Sequence, residues 1–259
     1  MQRCFSGDMR QRRVKGIDEK LAAYAGLILP GKANQGDAVG CGQKDSGLCL
    51  DAPSPPDGFP VRWYQRTSPC YILPQGFERK YVEFGCGRGQ FINALASEDP
   101  NALYIGVEGC KTIVIKAMEK TKAAGLKNIR YIENFINDAS TAFEESSIDG
   151  VFLNFSDPWP KERHAGRRLT APEKAGAYLR VLKKGGLAVF KTDGEVFFKY
   201  SLASFAEAGF RVIGSACELA ASALSADIAD RVVATPTEYE QRFRALGAPI
   251  YHFIAIKCD

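Results

Sequence analysis

The chain has 259 residues, of which 46% are hydrophobic and 25% charged, and its formal net charge is +4 at pH 7. Those proportions exclude a chain disordered throughout, a collagen repeat and a coiled coil. No apolar run reaches about 18 residues, so no membrane-spanning helix is expected. The opening MQRCFSGDMRQRRVKG has no apolar stretch behind its charges, so it does not read as a secretory signal. The small positive excess permits a nucleic-acid partner without demanding one. Eight cysteines are scattered with no C-x-x-C pair. They read as free thiols in a cytoplasmic protein, and no metal site is expected.

In chain order, a basic arm (Arg10, Arg12, Arg13, Lys15) precedes a short helical pattern at Leu21, Ala22, Tyr24 and Ala25. Residues 30–60, rich in Gly, Pro, Asp and Ser, read as a long loop or linker. From Arg79 the pattern becomes regular. Strands are expected at 81–84, 103–107, 128–132, 150–155, 187–191, 210–213 and 250–256. Helices are expected at 90–96, 111–124, 172–182 and 196–208, with a turn at Gly185-Gly186. Apolar strands alternating with helices predict an α/β fold: a doubly wound, mostly parallel seven-stranded sheet. The last two strands follow one another without a clear crossover helix, which predicts one antiparallel strand at the edge. The expected division is an arm plus insertion over 1–78 and a catalytic-type α/β domain over 79–259.

Ligands of such sheets lie beyond the carboxyl ends of the strands. The first strand runs into Glu83-Phe84-Gly85-Cys86-Gly87-Arg88-Gly89. A dinucleotide fingerprint needs its third glycine at position 90, where Gln90 stands. Glu83 would repel a pyrophosphate but suits a cationic amino group, which favours S-adenosylmethionine over a nicotinamide. Glu108, ending the second strand, can accept the ribose hydroxyls of an adenosine. Asp138 either binds an adenine amine or caps the helix after it.

The fourth strand ends in NFSDPWPKERHAGRRLT, residues 154–170. Two prolines fix the backbone around Trp159, and Lys161, Arg163, Arg167 and Arg168 face only Glu162. A basic run beside an aromatic, next to Asp157 at the ligand crevice, reads as phosphate contact. Asp193 ends the fifth strand. Thr237-Glu238-Tyr239-Glu240 reads either as a capping box opening an amphipathic helix or as a polar clamp on a base edge.

The long run after the fourth strand, with VEFGCGRG, YIGVE, NDA, FKTD and TEYE in order, closely resembles the signature of bacterial tRNA (guanine-N7-)-methyltransferases. The resemblance spans about residues 79–257, and more weakly the basic arm, which makes Met9 an alternative start. It implies a Rossmann-like class I enzyme that moves a methyl group from S-adenosylmethionine to N7 of a guanosine in the variable loop of tRNA. It implies that Glu83, Glu108, Asp138 and Asp157 hold the cofactor and that Asp157 is catalytic, and the Gly-rich turn adds Gly85 and Gly87 to the cofactor side. It implies that Lys161, Asp193, Thr237, Glu238, Tyr239 and Glu240 meet the substrate, and the basic run adds Arg163, Arg167 and Arg168 as phosphate contacts. Residues 31–70 look like an insertion, and Ala220–Asp230 lacks a His expected in relatives. The alternatives are a methyltransferase acting on an exocyclic amine, an NAD-dependent oxidoreductase, and a non-catalytic RNA-binding module on the same fold.

Overall fold

The computed structural model describes residues 16–32, 71–215 and 226–258. The basic arm at Arg10–Lys15, most of the 31–70 segment, five of the cysteines and part of Ala220–Asp230 lie outside them. The described Cys86, Cys110 and Cys258 are free thiols. Among the described residues no helix is long and apolar enough to cross a membrane, and no group of three or more His, Cys, Asp and Glu residues could hold a metal.

The chain order is α1 (Ile17–Ala22), β1 (Arg79–Phe84), α2 (Gln90–Glu98), β2 (Ala102–Val107), α3 (Lys111–Ala123), β3 (Ile129–Ile132), β4 (Ile148–Asn154), α4 (Pro172–Val181), β5 (Leu182–Thr192), α5 (Glu195–Glu207), β6 (Arg211–Ser215), α6 (Ala226–Ala234), α7 (Glu238–Ala245) and β7 (Tyr251–Ile256). The strands form one seven-stranded sheet in the order β3-β2-β1-β4-β5-β7-β6. All pairings are parallel except those of β7, which runs antiparallel to β5 and to β6. The antiparallel strand therefore sits at that end of the sheet, one place in, with β6 outside it.

Side chains alternate between two cores. Val82, Phe84, Leu153, Phe190 and Phe253 face α4 and α5, while Tyr81, Tyr104, Phe152, Val189 and Ile254 face α2, α3 and α6. Both faces are covered, which is why the strands are apolar along most of their length. Pro172 opens α4 at its first position, where no backbone donor is missed.

Three features depart from the sequence expectations. β5 starts at Leu182, and the Gly185-Gly186 turn appears as an irregularity inside the strand: Ile148 pairs with Leu182 but Gly150 with Leu187. Gly185 has φ +75, a conformation glycine adopts without strain. A helix was not expected at α6, yet Ile228, Ala229 and Val232 bury it on the sheet between β6 and β7. Residues 16–32, expected in the arm, pack against the domain: Leu29 N–H donates to Tyr131 O (2.9 Å), and Lys111 pairs with Asp18 (2.8 Å). The Ile28–Tyr131 bridge also covers the outer edge of β3.

Candidate active site

Strand order reverses between β1 and β4, so the crevice of a doubly wound sheet opens at their carboxyl ends. After Phe84 the chain turns through Gly85, Gly87 and Gly89, all at positive φ (76°, 55° and 69°). The amides of Gly85 and Cys86 donate to Val107 O (2.8 and 3.0 Å), tying the turn to the end of β2. A Cβ on Gly89 would sit 2.6 Å from Ala117 Cβ, so this glycine lets α2 approach α3. It is the third glycine of the turn, one residue earlier than a dinucleotide loop places it. Nothing lies within 4 Å of where a Gly87 Cβ would be, so this backbone is open to a ligand. Asn93 anchors the turn from below: its amide donates to Gly89 O (2.7 Å) and Tyr131 Oη (2.9 Å).

Two carboxylates flank this turn. Glu108 accepts from Gly87 N–H (3.2 Å) and Cys110 N–H (2.8 Å). Burial raises its pKa, the backbone donors oppose the rise, and the nearby Asp157 charge adds to it. Glu83 is only 2% exposed. Asn154, across the switch point on β4, donates to Glu83 Oε1 (2.8 Å), while Glu83 Oε2 and Asn154 Oδ1 are buried without a partner among the described residues. Burial pushes the Glu83 carboxyl up to about 8, against the opposing effects of Asn154 and Lys191. A buried carboxylate oxygen with no donor is costly unless a ligand supplies one. Asp138 caps the 3-10 turn Ala139–Thr141: its Oδ1 accepts from Ser140 N–H (2.8 Å) and Ser140 Oγ (2.6 Å). The capping reading of Asp138 is realised, and its side chain remains partly exposed.

The loop after β4 is strained where it matters. Phe155 (φ 49°) and Trp159 (φ 38°) both adopt left-handed backbone, on either side of Asp157. Each costs on the order of 1–3 kcal/mol, which the surroundings must repay. Arg168 does so: Nε donates to Pro158 O (2.9 Å), Nη2 to Trp159 O (3.1 Å), and its guanidinium lies over the Tyr200 ring at 4.1 Å. This corrects the expectation for Arg168, whose guanidinium is turned into the loop rather than out to a phosphate. Arg167 covers Trp159 (5.0 Å to the ring centre), and His164 meets the same ring edge-on. Partial desolvation, then the charges of Arg167, Arg163 and Lys161, lower the His164 pKa. Lys161 and Arg163 project into solvent, as does Asp157, which has no hydrogen bond or ion pair among the described residues.

On the far wall, Thr237 Oγ1 accepts from Glu240 N–H (2.9 Å) and caps α7. Glu240 does not complete a capping box, nor does it face the crevice. It is 1% exposed, with Oε2 on Lys191 (3.2 Å) and Oε1 on Arg244 Nη2 (2.6 Å), which corrects its expected place on a base edge. Glu238 pairs with Lys120 of α3. Tyr239 stacks on Phe243 (4.2 Å) and packs on Phe155 (4.9 Å), and its hydroxyl donates to Asp193 Oδ2 (3.4 Å). Asp193 and Tyr239 thus stand together with the strained loop. Sequence reasoning missed the orienting role of Asn154 and the buried role of Lys191. The signal for both was available: polar residues in otherwise apolar strands.

A family model described as "Putative methyltransferase" matches residues 78–253. A protein of Bacillus subtilis (strain 168) named tRNA (guanine-N(7)-)-methyltransferase is 40% identical over 171 residues, which cover 66% of this chain and 77% of that protein. A protein of the same name from Listeria welshimeri is 36% identical over 203 residues, 77% of this chain and 87% of that one. Among solved structures, the 16S rRNA methyltransferase KamB superposes with a TM-score of 0.52 at 16% identity, covering 71% of this chain and 90% of that chain, a likeness of fold.

Proposed function

The chain belongs to the tRNA (guanine-N(7)-)-methyltransferase family, and from that premise we propose that it transfers a methyl group from S-adenosylmethionine to N7 of a guanine in tRNA. The observation that carries the cofactor half is the buried, unpartnered Glu83 Oε2 beside the open Gly87 backbone and Glu108. When bound, S-adenosylmethionine supplies an electrophilic methyl group on a cationic sulfonium, together with an ammonium. Glu83, held by Asn154, suits the ammonium. Glu108 suits a ribose, its orientation fixed by Gly87 and Cys110. Asp138, with one oxygen used as a cap, takes the adenine end of the crevice.

N7 of neutral guanine carries an in-plane lone pair on the Hoogsteen edge, so no proton need leave before attack and no general base is required. The base becomes cationic as it is alkylated. A fixed carboxylate near that charge lowers the barrier, and Asp157, unpaired and presented by strained backbone, is placed for this role. Asp193, oriented by the Tyr239 hydroxyl, suits the guanine N1–H and exocyclic amine, which an adenine lacks in that pattern. Glu240 is occupied inside the protein and takes no part in reading the base. Lys161, Arg163 and Arg167 are the exposed cations of the 161–168 loop and suit tRNA phosphates. The resemblance in the 154–170 run points to the variable loop as the site of modification, and a tRNA substrate favours the cytoplasm. For the two-part division, arm plus insertion before an α/β domain, the supporting boundary is the start of β1 at Arg79, with residues 16–32 docked on the α/β domain.

The test is incubation of unmodified tRNA with methyl-labelled cofactor, followed by nucleoside analysis. Label in 7-methylguanosine is the expected result. Label in an N-methylated exocyclic amine supports the alternative, and cofactor binding without transfer supports the non-catalytic one.

A further inference from the structure

A row of polar side chains crosses one face of the sheet where apolar ones are the rule. Asn154, Lys191 and His252 stand in direct register across β4, β5 and β7. Glu83 joins the row through the Asn154 amide. The neighbouring positions on this face, Phe152, Val189 and Ile254, are fully apolar and lie under α2 and α6. Asn154 is 7% exposed and Lys191 1%, and His252 at the end of the row is half-buried. A hydrophobic sheet does not carry such groups without a use for them.

Lys191 shows the use. An ammonium has three protons, and this one finds three oxygens: Val233 O (3.2 Å), Thr235 O (3.1 Å) and Glu240 Oε2 (3.2 Å). The first two are carbonyls at the carboxyl end of α6, where a positive charge is favoured by the helix dipole and by acceptors left over at a helix end. The third belongs to the first turn of α7. One buried charge thus holds both sides of the α6–α7 joint, and Thr237 lies within that joint. Tyr239 leaves α7 to pack on Phe155, at the root of the Asp157 loop, and to bond Asp193.

We propose that Lys191 is a positioning residue: it pins the α6–α7 joint, and with it Tyr239 and Asp193, at the RNA side of the crevice. The inference rests on reading the crevice as a site for S-adenosylmethionine and tRNA. Without this ammonium the Val233 and Thr235 carbonyls and Glu240 Oε2 lose their shared donor, and the start of α7, with Tyr239 and through it Asp193, is no longer fixed.

The experiment measures binding of unmodified tRNA and of S-adenosylhomocysteine, alongside steady-state methylation. It compares the wild type with Lys191→Met, the charge-paired Lys191→Met/Glu240→Gln, and Arg244→Ala, which loosens Glu240 from the solvent side. Lys191→Met raises the KM for tRNA about tenfold and changes kcat and the affinity for S-adenosylhomocysteine less than about threefold. If leaving Glu240 without its ammonium unfolds that variant, the paired variant restores folding while the raised KM stays. Arg244→Ala gives a smaller shift in the same direction. A folded variant without Lys191 that keeps the wild-type KM for tRNA overturns the proposal, as does one whose cofactor affinity falls as far as its tRNA affinity. Failure of the wild type to form 7-methylguanosine overturns the underlying functional reading instead, and the tRNA-binding measurement stands apart from it.

Discussion

Glu83 and Asp157 are both carboxylates at the carboxyl ends of neighbouring strands, yet they live in opposite surroundings. Glu83 is buried, oriented by one amide, and carries an oxygen with no donor. Asp157 is exposed and unbonded, held on a loop whose backbone is strained on both sides and clamped by Arg168. The first arrangement suits a small cation that arrives without its water. The second suits a large, hydrated polyanion whose base is presented from outside. A methyl donor and a tRNA differ in this way, and on the reading proposed above each wall matches its ligand. The strength of Glu83 comes from desolvation, and that of Asp157 from placement.

Removing each carboxylate separates the two walls most sharply. Asp157→Ala is expected to lower methyl transfer about 10²–10³-fold, the size of a lost charge-stabilising group. Its melting temperature should match the wild type, because the side chain makes no bond to lose. Labelled methyl incorporation measures the first and thermal unfolding the second; near-normal turnover would remove Asp157 from the mechanism.

Glu83→Gln should weaken cofactor binding about 10–100-fold by calorimetry, the worth of a charge-assisted bond. Because Glu83 in the ligand-free protein keeps its proton up to about pH 8, cofactor affinity of the wild type should climb as pH rises towards about 8 and level off above it. Binding at neutral pH should release a proton, visible as a heat that depends on the buffer. The stability effect has the opposite sense. The unfolded chain sheds this proton near its model value of 4.5 and the native state only near 8, so native stability falls across that interval. Without ligand, Glu83→Gln should therefore melt higher than the wild type at pH 8, and the gap should close in acid.

The two arginine substitutions sharpen the comparison on the RNA wall. Arg168→Ala should cost about 1–3 kcal/mol of stability, through lost charged hydrogen bonds and ring contact, and should impair turnover by freeing the Asp157 loop. Arg163→Ala has the smallest expected effect. Melting and kcat should be unchanged, while the slope of log affinity for tRNA against log salt becomes shallower by about 0.7–0.9. Equal behaviour of the two variants would erase the distinction between a clamp and a phosphate contact.

That distinction also marks where the sequence stops being informative. Arg163, Arg167 and Arg168 are the same residue type in one short run, and nothing in their spacing says which guanidinium turns inward. Glu83 and Glu108 were legible because each ends an apolar strand, a position that by itself aims a side chain at the crevice. Glu240 was not, since a residue three places after a cap is equally compatible with the box, a base edge or a buried pair. The strands were readable from unbroken apolar runs, but α6 was not. Its nine residues, ADIADRVVA, carry only a narrow apolar stripe, and its burial depends on the sheet beneath it. The irregularity at Gly185-Gly186 was visible as a turn, though not as one from which the strand resumes its pairing with β4.

The placement of β7 has a consequence for how the molecule assembles. This strand bonds on both sides, to β5 and to β6, and β6 has no other neighbour in the sheet among the described residues. A polypeptide stopped before Tyr251 leaves β5 with a raw edge and takes from β6 its one described partner, a template for sticking to other chains. It also lacks His252, the half-buried outermost member of the polar row. Production of the enzyme as nested truncations should thus show solubility and cofactor binding appearing together, at the point where this segment becomes available to slot into the gap.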